Sequence, residues 1–376
     1  MSTLRIEQDS LGTLITVLKT TGFKVIAPTF HQATLSYTEI ESAAELPQGY
    51  RDQQAPGKYQ LTQTAGKAFF NYNLSFDSIK KILLPRPKKL WQAERDGLGF
   101  TITEEKPAAV KYAFIGVRAC DIAALKELDK VFIEGEFKDR DYQTLREAAL
   151  IIAVNCATVA DNCFCASMNT GPEATYGFDI LLTEVLNEAE HFFTTQSATD
   201  KGAAILAELP LKNAAAEDSR KAQQVIEHTK TLFKKELDTK GIKELFYNNY
   251  ESSCWNEVAE KCLACANCTL VCPTCFCSTV EDSTDLAGKT AQRRQVWDSC
   301  FSIDFSYLHG GAARQSIKSR YRQWISHKLA AWHDQFGSSG CVGCGRCITW
   351  CPVGIDITAE AKKLREEALK NDSLAV

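Results

Sequence analysis

Two stretches of the chain decide its fold: Cys262-Leu-Ala-Cys265-Ala-Asn-Cys268-Thr-Leu-Val-Cys272-Pro273 and Cys341-Val-Gly-Cys344-Gly-Arg-Cys347-Ile-Thr-Trp-Cys351-Pro352. We call them run 1 and run 2. Both have the spacing C-x2-C-x2-C-x3-C-P, a bacterial ligand pattern for [4Fe–4S] clusters. The two-residue gaps allow the chain to wrap so that three thiolates face one cubane. Because the pattern occurs twice, the sequence predicts two [4Fe–4S] clusters and a role in electron transfer.

The fourth cysteine of each run is expected to ligate the other cluster, as in two-cluster ferredoxins. Set 1 is therefore Cys262, Cys265, Cys268 and Cys351. Set 2 is Cys341, Cys344, Cys347 and Cys272. Pro273 and Pro352 suit the first position of a helix after each run. Gly343 and Gly345 leave room for backbone N–H groups to approach the cluster sulfurs.

Zinc ligation and disulfide bonding could also account for so many cysteines. Structural zinc sites also use four thiolates, but usually as two separated C-x2-C pairs. The three closely spaced cysteines and the terminal proline of each run therefore favour iron–sulfur ligation. Disulfide-rich scaffolds are much shorter secreted chains, and residues 1–10 lack a basic and apolar export signal. Sixteen cysteines without such a signal indicate metal binding in a reducing cytoplasm.

The remaining pattern predicts an α+β fold with two domains. An N-terminal α/β domain is expected over residues 1–250, where a strand at 109–116, a helix at 121–131 and a strand at 150–154 form a βαβ unit. Strands at 180–185 and 191–195 are expected to form a hairpin. A ferredoxin-like dicluster domain is expected over 251–376, with a mainly helical insert at 278–340 between the runs.

Four further cysteines form set 3: Cys120, Cys156, Cys163 and Cys165. The first two follow the predicted strands of the βαβ unit, so they should meet at the carboxyl edge of the sheet, with the other two a short loop away. One interpretation is a third [4Fe–4S] cluster, and the other is a group of free thiols packed in the interior. Asp121 could bond to a ligand or cap the helix.

The last four cysteines are harder to assign. Set 4 is Cys275, Cys277 and Cys300, three thiols that are one short of a closed cubane. They could bind a cluster with an open iron, but packing beside the nearest cluster is the interpretation we favour. Cys254 stands apart and is expected to be an ordinary thiol. The basic residues of the insert, including Arg314, Lys318 and Lys328, could place a positive field near a cluster or form a solvated helix face.

Composition and missing motifs exclude several classes of function. A net charge of −4 gives no attraction to nucleic acid. The longest apolar run, residues 148–154, is too short to span a bilayer. No G-x-G-x-x-G fingerprint or Walker A motif indicates NAD, FAD or ATP binding, and no catalytic triad or H-E-x-x-H sequence is present. We therefore assign no catalytic residue, and a partner should supply the site where electrons enter as hydride.

Three segments outside the C-x2-C pattern carry a family resemblance: residues 114–125 (FIGVRACDIAAL), 162–172 (NCFCASMNTGP) and 268–277 (CTLVCPTCFC). They resemble the iron–sulfur beta subunits of cytoplasmic sulfhydrogenases and the A subunits of anaerobic sulfite reductases. The resemblance extends from about residue 111 to 357 and includes Trp297-Asp-Ser-Cys300. It assigns no role to Cys254.

The resemblance implies a 4Fe-4S dicluster electron-transfer subunit. Its partners would be an FAD- and NAD(P)-binding flavoprotein subunit and a catalytic subunit, either a nickel–iron hydrogenase or a sulfite reductase. We expect this chain to relay electrons between them without catalysis of its own. The alternative is a subunit that reduces a sulfur compound at its additional cysteines. A structural zinc protein is the third hypothesis.

Overall fold

The computed structural model describes residues 3–31, 34–73, 76–105 and 110–374. Its strands are β1 (Leu4–Glu7), β2 (Lys24–His31), β3 (Thr34–Glu39), β4 (Tyr50–Ala55), β5 (Lys58–Gln63), β6 (Lys88–Asp96), β7 (Gly99–Glu104), β8 (Tyr112–Val117), β9 (Leu150–Val154), β10 (Ile180–Leu186), β11 (His191–Ser197), β12 (Lys212–Asn213), β13 (Ser278–Thr284), β14 (Thr290–Trp297), β15 (Tyr307–Leu308) and β16 (Gly311–Ala312).

The α-helices are α1 (Leu11–Thr20), α2 (Lys80–Leu83), α3 (Ala119–Phe132), α4 (Arg140–Ala148), α5 (Asp200–Ala207), α6 (Ala216–Lys230), α7 (Ile242–Asn248), α8 (Cys254–Lys261), α9 (Asn267–Leu270), α10 (Ile317–Ser326), α11 (Trp332–Phe336), α12 (Arg346–Thr349) and α13 (Ile357–Leu374). A π-helical turn at His327–Ala331 joins α10 to α11. None of the helices in the described ranges is long and apolar enough to cross a membrane.

The main sheet has eight strands in the order β12-β1-β11-β10-β9-β8-β2-β3. Its central strands β2, β8, β9 and β10 run parallel, and antiparallel strands flank them. Strand β9 is buried along its whole length, as expected for a parallel strand covered on both faces. The predicted βαβ unit is confirmed, with α3 and α4 between β8 and β9, and so is the β10–β11 hairpin. Residue 109 of the predicted strand lies outside the described residues.

Both faces of this sheet are covered by helices. On one face, Leu14, Ile15 and Leu18 of α1 pack against the sheet. On the other face, Ile122 and Leu125 of α3 do the same. Burying one such aliphatic side chain contributes about 1.5–3 kcal/mol, so these contacts fix α3 and the residues at its start against the carboxyl ends of β8 and β9.

Helices of the C-terminal region form a separate core around the cysteine runs. Trp255 of α8, Ile325 of α10 and Leu364 of α13 are among its fully buried members. Several cysteines of both runs pack against this core. Each run is a short loop that contains a one-turn helix, α9 or α12, before its fourth cysteine. The prediction of a helix that starts at Pro273 and Pro352 is wrong, because both prolines lie in turns.

The insert between the runs differs in part from its predicted structure. Its second half, from α10 to α11, is helical as expected. Its first half is the β13–β14 hairpin, which the sequence did not predict. Strand β14 pairs with β6, so a four-stranded sheet, β13-β14-β6-β7, joins residues from both sides of the boundary that we predicted near residue 250. That boundary stays a prediction.

Candidate metal centres

The thiols of set 1 surround a small cavity in the C-terminal core. The cavity is lined by all four of its cysteines together with Cys347 of run 2. Removal from water raises the pKa of Cys268 well above its usual value, and the neighbouring thiols Cys262, Cys351 and Cys265 raise it further. Cys265 is exposed, whereas the remainder of the cavity wall is mainly apolar. The two runs are thus brought together around set 1.

Set 2 also converges from both runs. Burial raises the pKa of Cys341 to about 12; Lys328 opposes this shift, and Cys344 and Cys272 add to it. The pKa of Cys347 is raised well above its usual value by burial and by Cys341, Cys344 and Cys272. Four thiolates this close repel one another, so a positively charged centre must bind before all four can lose their protons. Both sets therefore fit the cubane predicted from the sequence.

The backbones of the two runs follow the same path. Ala264 (φ 49°) and Ala266 (φ 66°) of run 1 are left-handed, as are their counterparts in run 2, Gly343 (φ 64°) and Gly345 (φ 73°). The N–H of Ala264 donates to Cys262 Sγ at 3.4 Å, and the N–H of Gly343 donates to Cys341 Sγ at 3.4 Å. A backbone N–H thus approaches the first cysteine sulfur of both runs, in run 1 without a glycine, and the approach of Gly343 and Gly345 to cluster sulfurs stays a prediction.

Glycine is needed in run 2 because the loop that carries set 3 packs directly on it. A Cβ at Gly343 would lie 2.6 Å from the Cα of Cys165, and a Cβ at Gly345 would lie 2.3 Å from the carbonyl oxygen of Asn162. Contacts this short with backbone atoms are not tolerated. Phe164 also donates its N–H to the carbonyl of Gly343 at 2.8 Å. The two glycines thus allow the loop that carries set 3 to pack directly against set 2.

The structure brings the four thiols of set 3 together at the carboxyl edge of the main sheet. Burial raises the pKa of each one, and the electrostatic neighbours of Cys165 are Cys163 and Cys156 of the same set and Cys344 of set 2. Cys165 and Cys344 are also close enough to Cys120 to raise its pKa further. Set 3 is therefore a compact group beside set 2, as the strand positions predicted.

A buried ion pair connects the start of α3 to run 2. Arg346 donates to both carboxylate oxygens of Asp121, at 2.7 and 2.9 Å, and both residues are at most 4% exposed. Asp121 therefore neutralises an arginine, rather than capping the helix or contacting a thiol. The negative charge of Cys344 also favours the charged form of Arg346, whose pKa is raised although burial opposes it.

Two buried lysines surround Cys272. Lys328, 4% exposed, directs its Nζ to Cys272 Sγ at 3.1 Å, to Thr274 Oγ1 at 3.0 Å and to the Gly340 carbonyl at 3.1 Å. Burial acts against its charge, but the thiols Cys272, Cys275 and Cys341 raise its pKa well above the usual value. Lys328 points inward, so the prediction that it lies on a solvated helix face is wrong.

Lys80 is the second of these lysines, and no sequence pattern indicated it. Its Nζ donates to the carbonyls of Cys272 and Cys275 at 2.7 and 2.9 Å. Burial lowers its pKa, and the nearby thiols Cys275 and Cys272 act in the opposite direction. The ring of Trp297 lies 4.7 Å from Nζ and adds a cation–π contact. Only the fold brings α2 to run 1.

The thiols of set 4 have two different electrostatic neighbours. Cys275 is the main cause that lowers the pKa of Cys272 well below its usual value, and Cys300 is the main cause that lowers the pKa of Cys277, to about 7. Neither in set 4 nor elsewhere in the described ranges are three His, Cys, Asp or Glu side chains arranged to hold a single metal ion. Cys254 is buried elsewhere and accepts a hydrogen bond from Ser252 Oγ at 3.1 Å.

Comparisons with known proteins match both the region of the two runs and the chain as a whole. Residues 261–355, which include both runs and the insert, match the 4Fe-4S dicluster domain family. Over 356 residues the chain is 31% identical to the sulfhydrogenase 2 subunit beta of Pyrococcus furiosus, an alignment that covers 93% of this chain and 94% of that protein. No solved structure matches the chain.

Proposed function

The chain belongs to the family of sulfhydrogenase beta subunits, and we propose that it is the electron-transfer subunit of a multisubunit oxidoreductase. The observation that carries this proposal is the convergence of runs 1 and 2 on two adjoining thiol sets. When bound, [4Fe–4S] clusters would supply one-electron transfer. The sixteen cysteines also suit a reducing compartment, so we propose a cytoplasmic location.

We propose that set 1 and set 2 each hold one [4Fe–4S] cluster, and that set 3 holds a third. Cys268 of set 1 lies in electrostatic range of Cys272 of set 2, and Cys344 of set 2 has the same relation to Cys165 of set 3. Set 2 therefore adjoins both other sets, and we propose that the three sets form a row with set 2 in the middle. This arrangement suits a relay, because electrons can enter at one end and leave at the other.

Set 1 is the end of the row that is open to a partner. Cys265 is exposed, and the neighbouring side chains Leu263, Leu270 and Val353 are 62%, 52% and 39% exposed. An exposed apolar rim around a redox site is suited to contact with another protein. We propose that the partners are an FAD- and NAD(P)-binding flavoprotein subunit and a hydrogenase or sulfite reductase catalytic subunit, one of which docks here.

Two buried lysines beside set 2 affect how much negative charge a cluster there can hold. Lys328 donates directly to a proposed ligand sulfur, and Lys80 donates to the carbonyl of the same residue. Reduction adds negative charge to a cluster, so buried ammonium groups favour the reduced state. We therefore propose that set 2 holds the electron more tightly than set 1.

A second candidate function is reduction of a sulfur compound by this chain itself. It is supported by a cavity of about 170 Å³ that is lined by Cys275, Cys277 and Lys80. Thiols beside a buried ammonium could bind a small anionic sulfur species there. Turnover of sulfite or polysulfide by the isolated subunit with a reduced dye separates the two candidates: appreciable turnover without partners would contradict the relay.

Anaerobic purification tests the relay proposal. Bound clusters give a broad brown visible absorption and stoichiometric iron and acid-labile sulfide, whereas a colourless protein without iron would contradict it. For set 3, the double variant Cys163→Ala, Cys165→Ala should lose about four iron atoms per chain. Unchanged iron would remove the third cluster. Cys254→Ala is the matched control, because that buried cysteine belongs to no set.

A further inference from the structure

Helix α10 places two polar aromatic side chains at the cavity of set 1. Tyr321 and Trp324 are three residues apart and therefore lie on the same face of the helix, with ring centroids 5.5 Å apart. Both line the cavity that the four cysteines of set 1 surround. They are 2% and 4% exposed, and their polar atoms are shielded from solvent. One wall of the proposed cluster site therefore includes a buried O–H and a buried N–H group.

Within the described residues, neither the hydroxyl of Tyr321 nor the indole nitrogen of Trp324 has a hydrogen-bond partner. A phenol O–H can donate or accept, whereas an indole N–H can only donate, so Trp324 needs an acceptor. Native proteins leave few buried polar groups unsatisfied, because such a group loses its bonds to water without replacement. Two unsatisfied groups on neighbouring rings at one cavity indicate that the acceptor is something the cavity holds.

The sulfurs of a [4Fe–4S] cluster are suitable acceptors for these two groups. A cluster with its thiolate ligands is rich in negatively charged sulfur, and hydrogen bonds to the sulfurs are among the factors that set its potential. Much of the remaining wall is apolar and offers no acceptor. An example is Phe301, whose ring lies 6.3 Å from that of Tyr321 and 5.9 Å from that of Trp324. The chemistry of the wall therefore fits the cluster proposed for set 1.

From these positions we propose that the O–H of Tyr321 and the Nε1–H of Trp324 donate hydrogen bonds to sulfurs of the cluster at set 1 and thereby raise its reduction potential. Reduction adds negative charge to the cluster, so the two donors stabilise the reduced form more than the oxidised form. This inference rests on the proposed function, because it needs a cluster at set 1. It gives α10 a role in electron transfer in addition to its role in packing.

The acidity of Tyr321 fits the role of a donor. Burial raises its pKa well above the usual value, and the negative charges of Glu360, Cys268 and Cys347 raise it further. The hydroxyl therefore keeps its proton at any physiological pH. Glu360 does not accept a hydrogen bond from it, so the proton is available for an acceptor in the cavity.

The donors proposed at set 1 differ in charge from the donor at set 2. Lys328 donates to Cys272 as an ammonium group, whereas phenol and indole groups are neutral. Charge-assisted hydrogen bonds are roughly twice as strong as neutral ones. The two aromatic donors would thus reduce the difference in potential that the lysines create between the two clusters. A smaller difference makes it easier for electrons to pass in either direction.

The test is a redox titration of the anaerobic holoprotein, followed by electron paramagnetic resonance, for Tyr321→Phe and Trp324→Phe. The first variant deletes a single oxygen and keeps the ring. In each variant we expect the reduction equilibrium of one cluster to shift about three- to tenfold toward the oxidised form, which is roughly 30–60 mV for a one-electron couple. When Tyr321→Phe is combined with Lys328→Met, two different clusters should shift, because Lys328 borders set 2.

A second readout detects the hydrogen bonds themselves. Electron–nuclear double resonance of the reduced protein, prepared in H₂O and in D₂O, should show exchangeable protons coupled to the cluster, and each variant should lose one of these couplings. Tyr72→Phe is the matched control, because it also removes a buried hydroxyl that has no partner among the described residues, but from the core of the main sheet. It should leave the potentials and the couplings unchanged.

Three results would overturn the proposal: unchanged potentials and couplings in both iron-loaded variants, a shift of the same cluster by Tyr321→Phe and by Lys328→Met, or loss of a whole cluster from Tyr321→Phe. The last result would make Tyr321 necessary for cluster assembly rather than for its potential. Iron and acid-labile sulfide are measured on the same samples. Their absence from the unmodified protein would contradict the cluster proposal, whereas their presence with unchanged potentials and couplings would contradict only the two hydrogen bonds.

Discussion

Runs 1 and 2 share one ligand spacing and one backbone path, but their surroundings differ. Run 1 tolerates alanine at its two left-handed positions and borders an apolar cavity with an exposed cysteine. Run 2 requires glycine there, because residues 162–165 lie against it, and Arg346 within it pairs with a buried carboxylate. The spacing therefore determines how the chain wraps, and the neighbouring residues determine the packing, exposure and charge around each set.

The largest expected effect comes from breaking the buried ion pair that only run 2 has. Asp121→Asn leaves Arg346 charged in a site shielded from water, and loss of one partner of a buried pair costs about 3–5 kcal/mol. We expect the free energy of unfolding of the anaerobic holoprotein, measured with urea, to fall by this amount.

The matched control lies beside run 1, where Lys363 and Glu257 form a solvent-exposed pair. Glu257→Gln should cost less than about 1 kcal/mol, because exposed pairs are screened. Equal effects of the two substitutions would show that the pair at run 2 is no more important to the fold than a surface pair.

The second test exchanges the residues that distinguish the two backbones. Gly345→Ala forces a Cβ against the Asn162 carbonyl in a left-handed conformation, so we expect a loss of about 2–4 kcal/mol from the sum of overpacking and backbone strain. Ala266→Gly, at the same place in run 1, should change stability by less than about 1 kcal/mol, since relief of strain is offset by greater chain entropy. Thermal unfolding and iron content measure both. A mild Gly345→Ala would contradict the close packing of set 3 on run 2.

The third test addresses charge. Lys328→Met keeps a long buried side chain but removes the ammonium group next to Cys272, so we expect the potential of one cluster to fall by roughly 60 mV, a tenfold change for a one-electron couple. Redox titration followed by electron paramagnetic resonance measures it. Lys261→Met is the control, because Lys261 is next to Cys262 but exposed, and should leave all the cluster potentials nearly unchanged. A fall of the same size in both variants would contradict a special role for Lys328.

The smallest expected effect is at Cys254, the one cysteine outside all four sets. Cys254→Ala removes a buried sulfur that touches only protein, so stability should decrease by about 1 kcal/mol, while iron and sulfide per chain stay constant. Iron analysis and denaturant unfolding check the two parts separately. Loss of iron would mean that ligation extends beyond the cysteines we assigned.

Local pattern predicted much of the fold. The βαβ unit follows from strands that are apolar throughout, such as β9, separated by an amphipathic helix, and the crossover then places Cys120 and Cys156 at one sheet edge. The helical half of the insert likewise has a helical period of apolar residues. These features depend on neighbours in sequence, which is why they could be inferred before the structure.

Contacts between distant segments could not be predicted. Strand β13 is polar and almost wholly exposed, and it is held as a strand by β14, which in turn pairs with β6 from the first part of the chain. Lys80 reaches the carbonyl of Cys272 across 192 residues of sequence. Lys328, which points inward, lies in the π-helical turn between α10 and α11. Neither lysine is in a motif, so only the folded chain reveals its position.

The proposed exchange of the fourth cysteine between the runs would have a consequence for biosynthesis. Because set 1 includes Cys351 and set 2 includes Cys347, set 2 is complete only once residue 347 has been translated, and set 1 only once residue 351 has been translated. A nascent chain that stalls within the insert has three cysteines of set 1 and one of set 2, too few thiolates for either cubane. Under this assignment, iron loading at the two sets would be restricted to nearly full-length polypeptides, and prematurely terminated products would stay without metal there.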